Sequence, residues 1–98
     1  MIEFAKEEGK LTCTFDERLD TSSCSKFQDK LYETIASAQE SIVAFDMQKV
    51  DYVASIFLGI CIKVYKDKGS ENFSLINVRP NVKKVFKITG MDKLLTIS

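Results

Sequence analysis

The sequence contains no histidine. That removes at once the commonest general base and the commonest zinc ligand. Its three cysteines, Cys13, Cys24 and Cys61, are odd in number and show no CxxC spacing. Neither a disulfide framework nor a zinc site is expected from that pattern. We read all three as reduced, buried small hydrophobes, which fits a cytosolic protein. There is no GxxxxGK phosphate loop and no GxGxxG fingerprint. Acidic residues are plentiful, yet no motif pairs them, so neither an enzyme nor a cofactor is expected. No apolar run reaches the length of about 18 residues that a membrane span requires, because Lys63 interrupts the longest one. The opening Met-Ile-Glu-Phe-Ala-Lys is too short and too acidic for a signal peptide. A cytoplasmic location without direct membrane insertion is the expectation.

What is present describes an ordinary globular chain. Its 98 residues are 45% hydrophobic and 29% charged, the length and composition of one domain. A chain of this size can bury about two thirds of its unfolded surface. The formal net charge is zero, so bulk attraction to nucleic acid or to an anionic membrane is not indicated. Residues 1–49 hold ten acids and six bases, whereas residues 50–98 hold four acids and eight bases. Arg79, Lys83, Lys84, Lys87 and Lys93 make up most of the basic excess, and a solvated helix face accounts for such a cluster.

Along the chain, Ile2 and Phe4 alternate with polar or small neighbours, and Leu11, Cys13 and Phe15 do the same beyond Glu8-Gly9. Two antiparallel strands joined by a tight turn are predicted. Asp20-Thr-Ser-Ser23 is a dense helix-start signal. Behind it, Cys24, Phe27, Leu31, Ile35 and Ala38 recur at helical spacing, predicting a helix of about five turns. Ile42 to Phe45 reads as a central strand buried on both faces. Val50 to Val53 reads as a further short extended piece.

The most apolar stretch, Asp51 to Tyr65, is ambiguous by pattern. Its β-branched and aromatic residues suit a strand. Its length, the offsets of Phe57, Cys61 and Val64, and the closing Lys66-Asp-Lys-Gly69 suit a helix. Phe73 to Val78 predicts another strand. Arg79-Pro80 breaks it, and Val82, Val85, Phe86 and Thr89 trace a short helix that Gly90 stops. Met91 to Leu95 is either a further helical turn or a link, and Ile97 reads as the close of an edge strand. The order β-β-α-β-α-β-α is that of an α/β domain, a single mixed sheet covered by helices.

Four segments together resemble the STAS domain, the fold of anti-sigma factor antagonists and related bacterial signalling modules. They are Arg18-Leu-Asp20-Thr-Ser, Ile42-Val-Ala-Phe-Asp46, Val50 through Leu58, and Ser74-Leu-Ile-Asn-Val78 running on into Arg-Pro-Asn-Val-Lys-Lys-Val-Phe-Lys-Ile-Thr-Gly90-Met-Asp-Lys-Leu. The resemblance covers nearly all of residues 1–98. It identifies the ambiguous stretch as the second helix. It implies a protein that works in transcription regulation by partner switching: the free domain captures an anti-sigma factor or a related switch kinase. The interface would lie on the loop after Val50 and the start of the second helix, with Asp20 and Thr21 contributing. No nucleic-acid partner is implied, and the oligomeric state is left open, a homodimer included. An alternative is a structural STAS subunit, of a stress-signalling scaffold or of a phospholipid-transport ABC complex.

In that family an Asp-Ser-Ser-Gly-like motif precedes the second helix, with the phosphate acceptor at its third position. Aligned on Leu58 and Gly59, this sequence has Ala54 at the aspartate, Ser55 at the first serine, Ile56 at the acceptor and Phe57 at the glycine. Ser55 is the one hydroxyl left in that loop and hence the one phosphorylation candidate. Ala54, Ser55, Ile56 and Phe57 are the expected partner-binding residues beside Asp20 and Thr21. Ile56 and Phe57 either stand out as an apolar anchor or turn inward to fill the core. Asp20 matches an acidic family position but also suits a helix cap.

Overall fold

The computed structural model describes residues 2–98. Strands β1 (Glu3–Glu7) and β2 (Lys10–Thr14) pair antiparallel through a two-residue turn. Glu8 and Gly9 both have positive φ, 49° and 79°, the backbone that matches the right-handed strand twist of a tight hairpin. After β2 come β3 (Arg18–Leu19) and α1 (Thr21–Ser37), then β4 (Ile42–Asp46), β5 (Tyr52–Val53) and α2 (Ser55–Lys68). The chain continues with β6 (Phe73–Ile76), α3 (Pro80–Ile88), a 3-10 turn (Met91–Lys93) and β7 (Thr96–Ile97).

Five of these strands form one mixed sheet in the order β1-β2-β4-β6-β7, parallel from β2 onward. Each parallel step advances to the next neighbour, and the usual right-handed crossover then puts the connecting helices on one face. Burial follows that arrangement. Leu11, Cys13, Val43, Phe45, Phe73 and Leu75 are buried under the helices, while Thr12, Thr14, Ser74 and Ile76 on the opposite face are half-buried. Val43, Ala44 and Phe45 are all inaccessible, as a doubly buried strand predicts. Ala44 achieves this by being short and lying between Thr12 and Ser74 in register, with no helix above it. Ile42, at the strand's start, is 41% exposed.

The second helix is confirmed as a helix over Ser55–Lys68. Phe57, Ile60, Cys61 and Val64 make its buried face, and the fourteen-residue length exceeds any strand that this sheet could pair. At the centre of the core, Phe15 meets Phe45 and Phe57 edge-on at centroid distances of 4.9 and 5.3 Å, and Phe45 meets Phe73 at 4.8 Å. Such edge-to-face pairs add stabilisation beyond their buried area. The buried residues form one continuous cluster.

One element goes beyond the expected single sheet. β3 and β5 form a separate two-stranded parallel ladder. β5 falls within the short extended piece expected at Val50 to Val53, whereas β3, two residues long, is too short to show an alternation.

Candidate functional site

The small ladder brings two helix starts together. β3 runs through Asp20 into α1, and β5 runs through Ala54 into α2. Arg18 pairs with Tyr52 and Leu19 with Val53. The ladder is tied by Asp51 N–H and Tyr52 N–H donating to Glu17 O (2.8 and 3.3 Å) and by Ala54 N–H donating to Leu19 O (2.9 Å). Leu19 and Val53 point into the core, 1% and 7% exposed. Strand alternation therefore turns Arg18 and Tyr52 outward. The Arg18 guanidinium lies 4.4 Å from the Tyr52 ring centroid, within the range of a cation–π contact.

The two helix starts differ chemically. The Asp20 carboxylate accepts from Ser23 N–H at 2.9 Å and caps α1. The hydrogen bonds from the Ser23 backbone and hydroxyl hold its carboxyl below the usual range, with smaller help from the Arg18 and Lys26 charges. Arg18 Nε stands 3.8 Å from its other oxygen. Ala54 occupies the corresponding position of α2 and offers no side-chain cap. Thr21 and Ser55 are the first residues of their helices, and both are exposed.

A second set of bonds fixes the loop that leads into β5. Asp46 Oδ1 accepts from Gln48 N–H and Asn77 Nδ2, each at 3.1 Å. Asn77 takes a left-handed backbone, φ 56°, which asparagine tolerates better than most residues. Arg79 Nε donates to Gln48 O (3.0 Å) and Asn81 Nδ2 to Asp51 O (2.7 Å). The Arg-Pro-Asn sequence thus begins α3, with Pro80 in its first turn, and clamps residues 48–51 from the side.

The predicted site residues separate accordingly. Asp20, Thr21, Ala54 and Ser55 are brought to one surface by the ladder. Ile56 is half-buried and packs on the edge of the core. Phe57 is a correction: it is fully buried between Phe15 and Phe45 and presents nothing to a partner. The third position of the helix points to the sheet, so a large aromatic there becomes core. Arg18, Tyr52, Arg79 and Asn81 belong to the site or its support without having been singled out for it. All four lie within the matched segments, but their contacts span thirty or more positions and leave no local signal.

No helix among the described residues is long and apolar enough to cross a membrane. No group of three or more potential metal ligands occurs among them. All three cysteines are free and buried. Burial pushes the Cys13 thiol up to about 12 and, with the Asp20 charge adding, the Cys24 thiol up to about 11. These groups are packing residues that stay protonated.

The family model of the STAS domain matches residues 1–98. A STAS-domain containing protein of Pseudomonas aeruginosa is 31% identical over 91 residues, covering 91% of this chain and 88% of the relative. Among solved structures, an anti-sigma-factor antagonist (STAS) domain protein from Planctomyces limnophilus superposes with a TM-score of 0.86 at 20% identity, covering 99% of this chain and 87% of that one. The anti-sigma factor antagonist SpoIIAA in its unphosphorylated form gives 0.80 at 14%, covering 100% and 88%. The chain belongs to the STAS family, and its fold is the one these antagonists share.

Proposed function

We propose that this protein acts by binding a protein partner, an anti-sigma factor or a related switch kinase, and that it lacks the usual serine phospho-switch. The docking surface in this reading is the ladder and the two helix starts it joins. The observation that carries it is the α2 entrance: a bare Ala54 cap, an exposed Ser55 and a half-buried Ile56 where the acceptor hydroxyl would stand.

The chemistry of that entrance explains the proposal. The first N–H groups of a helix have no partner within the helix. The N-cap residue of α2, Ala54, has no side chain to fill that role, so a partner's carboxylate or carbonyl can. Beside it, the stacked Arg18 and Tyr52 offer a flat surface with one fixed charge, and arginine and tyrosine are residues that interfaces favour. A phosphate on a hydroxyl here would suit the helix dipole while adding up to about two negative charges against a docked partner. An isoleucine offers no such atom. Its apolar contact persists whatever kinase is present, so capture is governed by the partner's concentration.

Incubation with the anti-sigma kinase and ATP, followed by intact mass measurement, tests this. The expected result is an unmodified chain that still binds. Stoichiometric phosphate on Ser55 would sink the proposal.

A further inference from the structure

A groove of about 320 Å³ runs between α1 and α2 along their last two turns. The ladder joins the starts of these helices, so the groove lies at their far end, outside the docking surface described above. Its floor is Ile35, Ala36 and Val64. Ile35 and Val64 are core residues, 5% and 2% exposed, and Ala36 presents only a methyl group, which leaves the space above them open. Small-molecule sites are built this way, an apolar lining with a few converging polar groups, and the volume is at the low end of their range. The rim supplies the polar groups, from Tyr32, Lys63, Asp67 and Lys68. Lys63 and Asp67 are already engaged: they pair at 3.3 Å, and the Lys63 ammonium lies 5.3 Å from the Tyr32 ring centroid. Two donors remain. Lys68 is half-buried and has no ion pair among the described residues. The hydroxyl of half-buried Tyr32 has no hydrogen-bond partner among them. Burial, ahead of the neighbouring thiol and carboxylate charges, raises the titration of this phenol, so it keeps its proton.

We propose that this groove binds a small aliphatic monocarboxylate, with its chain along Ile35, Ala36 and Val64 and its head on Lys68 and the Tyr32 hydroxyl. Charge selects the head. Lys63 and Lys68 against Asp67 leave the rim with one positive charge, which a single carboxylate balances and a phosphate dianion would exceed. Lys66 stands in the same last turn of α2 and offsets the partial negative charge of the helix end, so Lys68 is left for the ligand. A carboxylate also accepts hydrogen bonds without donating any, which matches an ammonium and a protonated phenol. The floor selects the body. Isoleucine, alanine and valine side chains offer no hydrogen bond, so a saturated chain gains by covering them and taking their surface from water. The site stands apart from the partner-binding reading, and neither depends on the other.

The test is titration of the full chain with octanoate, followed by amide proton–nitrogen correlation spectra. Saturable shifts are expected, centred on residues 32–36 and 63–68, with a Kd on the order of a millimolar or below. Hexanoate, two methylenes shorter, should bind about four- to fifteenfold more weakly, because less of the floor is covered. Octylammonium has the same chain and the opposite charge, and should bind at least about tenfold more weakly. Two variants locate the site. Lys68→Gln should weaken octanoate by roughly tenfold, through loss of a charged hydrogen bond. Ala36→Trp should fill the groove and abolish saturable binding. Melting temperatures taken on the same samples establish that both variants are folded. Several results would each overturn the proposal: no saturation up to about 10 mM octanoate, shifts centred elsewhere, equal affinity for octylammonium, or wild-type affinity in a folded Ala36→Trp. If the tryptophan variant does not fold, Lys68→Gln decides alone, and an affinity within twofold of wild type would overturn the site.

Discussion

Replacing Phe57 by alanine separates its role as core from any role as an anchor. The ring is 0% exposed and makes an edge contact with Phe15 at 5.3 Å and a tilted one with Phe45 at 5.9 Å. Truncating a phenylalanine so enclosed costs about 3–5 kcal/mol, since the transfer term and the residual cavity add. A domain of this size has a total stability of about 5–15 kcal/mol. The variant should therefore lose a large share of it, with a fall in melting temperature of at least about 12 °C at roughly 4 °C per kcal/mol. Ile56→Ala is the internal comparison. Ile56 is half-buried at the margin of the same core, so its truncation should cost about 1–2 kcal/mol. Urea titration followed by far-ultraviolet circular dichroism gives both numbers, provided the slope with denaturant matches that of wild type. A Phe57→Ala cost below about 1.5 kcal/mol, or a larger cost at Ile56, would refute the assignment of Phe57 to the core.

Three other expectations follow from the same geometry. Asn81→Ala removes the bond to Asp51 O at 2.7 Å, which should cost about 1 kcal/mol or less and speed amide exchange at Asp51 and Tyr52; unchanged exchange there would remove Asn81 from the support of the site. Asp20→Ala should speed exchange of the Ser23 amide, whereas Asp20→Asn keeps an accepting oxygen and should largely preserve protection. Because the folded Asp20 carboxyl titrates below its usual value of 3.8, its contribution is present above that pH and fades as pH falls through the folded value, so the difference between wild type and Asp20→Ala should shrink on acidification. The thiols act in the opposite direction. Cys24 and Cys13 are raised from 9.0 to about 11 and about 12, so the unfolded chain releases these protons first and stability falls as pH rises above 9. A Cys13→Ala variant, compared at pH 8 and 10.5, should show a smaller fall than wild type.

Where one face of an element meets the core, the sequence was legible. The alternation of Leu11, Cys13 and Phe15, the helical recurrence from Cys24 to Ala38, and the apolar run at Ile42–Phe45 each led to the element observed. The α2 stretch shows the limit of pattern: Ile56 to Tyr65 suits a strand by propensity and a helix by length and the closing Gly69, and it was the family resemblance that pointed to the helix observed. β5 fell within the extended piece expected at Val50 to Val53, but β3 and its pairing with β5 were not legible, because a two-residue strand has no period and its partner lies more than thirty residues away. The absence of that pairing from the reading concealed the Arg18–Tyr52 contact. Phe57 was placed with the site because four consecutive residues were taken as one loop, whereas the helix begins at Ser55 and turns its third residue to the sheet. The clamp of Arg79 and Asn81 on residues 48–51 gives the Arg-Pro-Asn segment a structural task that its sequence alone did not reveal.

The central claim is that the surface joined by the ladder is where a partner docks. Arg18 and Tyr52 are its most exposed large side chains, and removing both leaves the buried Leu19 and Val53 in place. The direct measurement is the affinity of the anti-sigma factor for the Arg18→Ala, Tyr52→Ala double variant, with melting temperature recorded on the same samples. A loss of at least about tenfold in affinity, equivalent to 1.4 kcal/mol, with the melting temperature unchanged within a few degrees, is predicted. Affinity equal to that of wild type in a folded double variant would contradict the account.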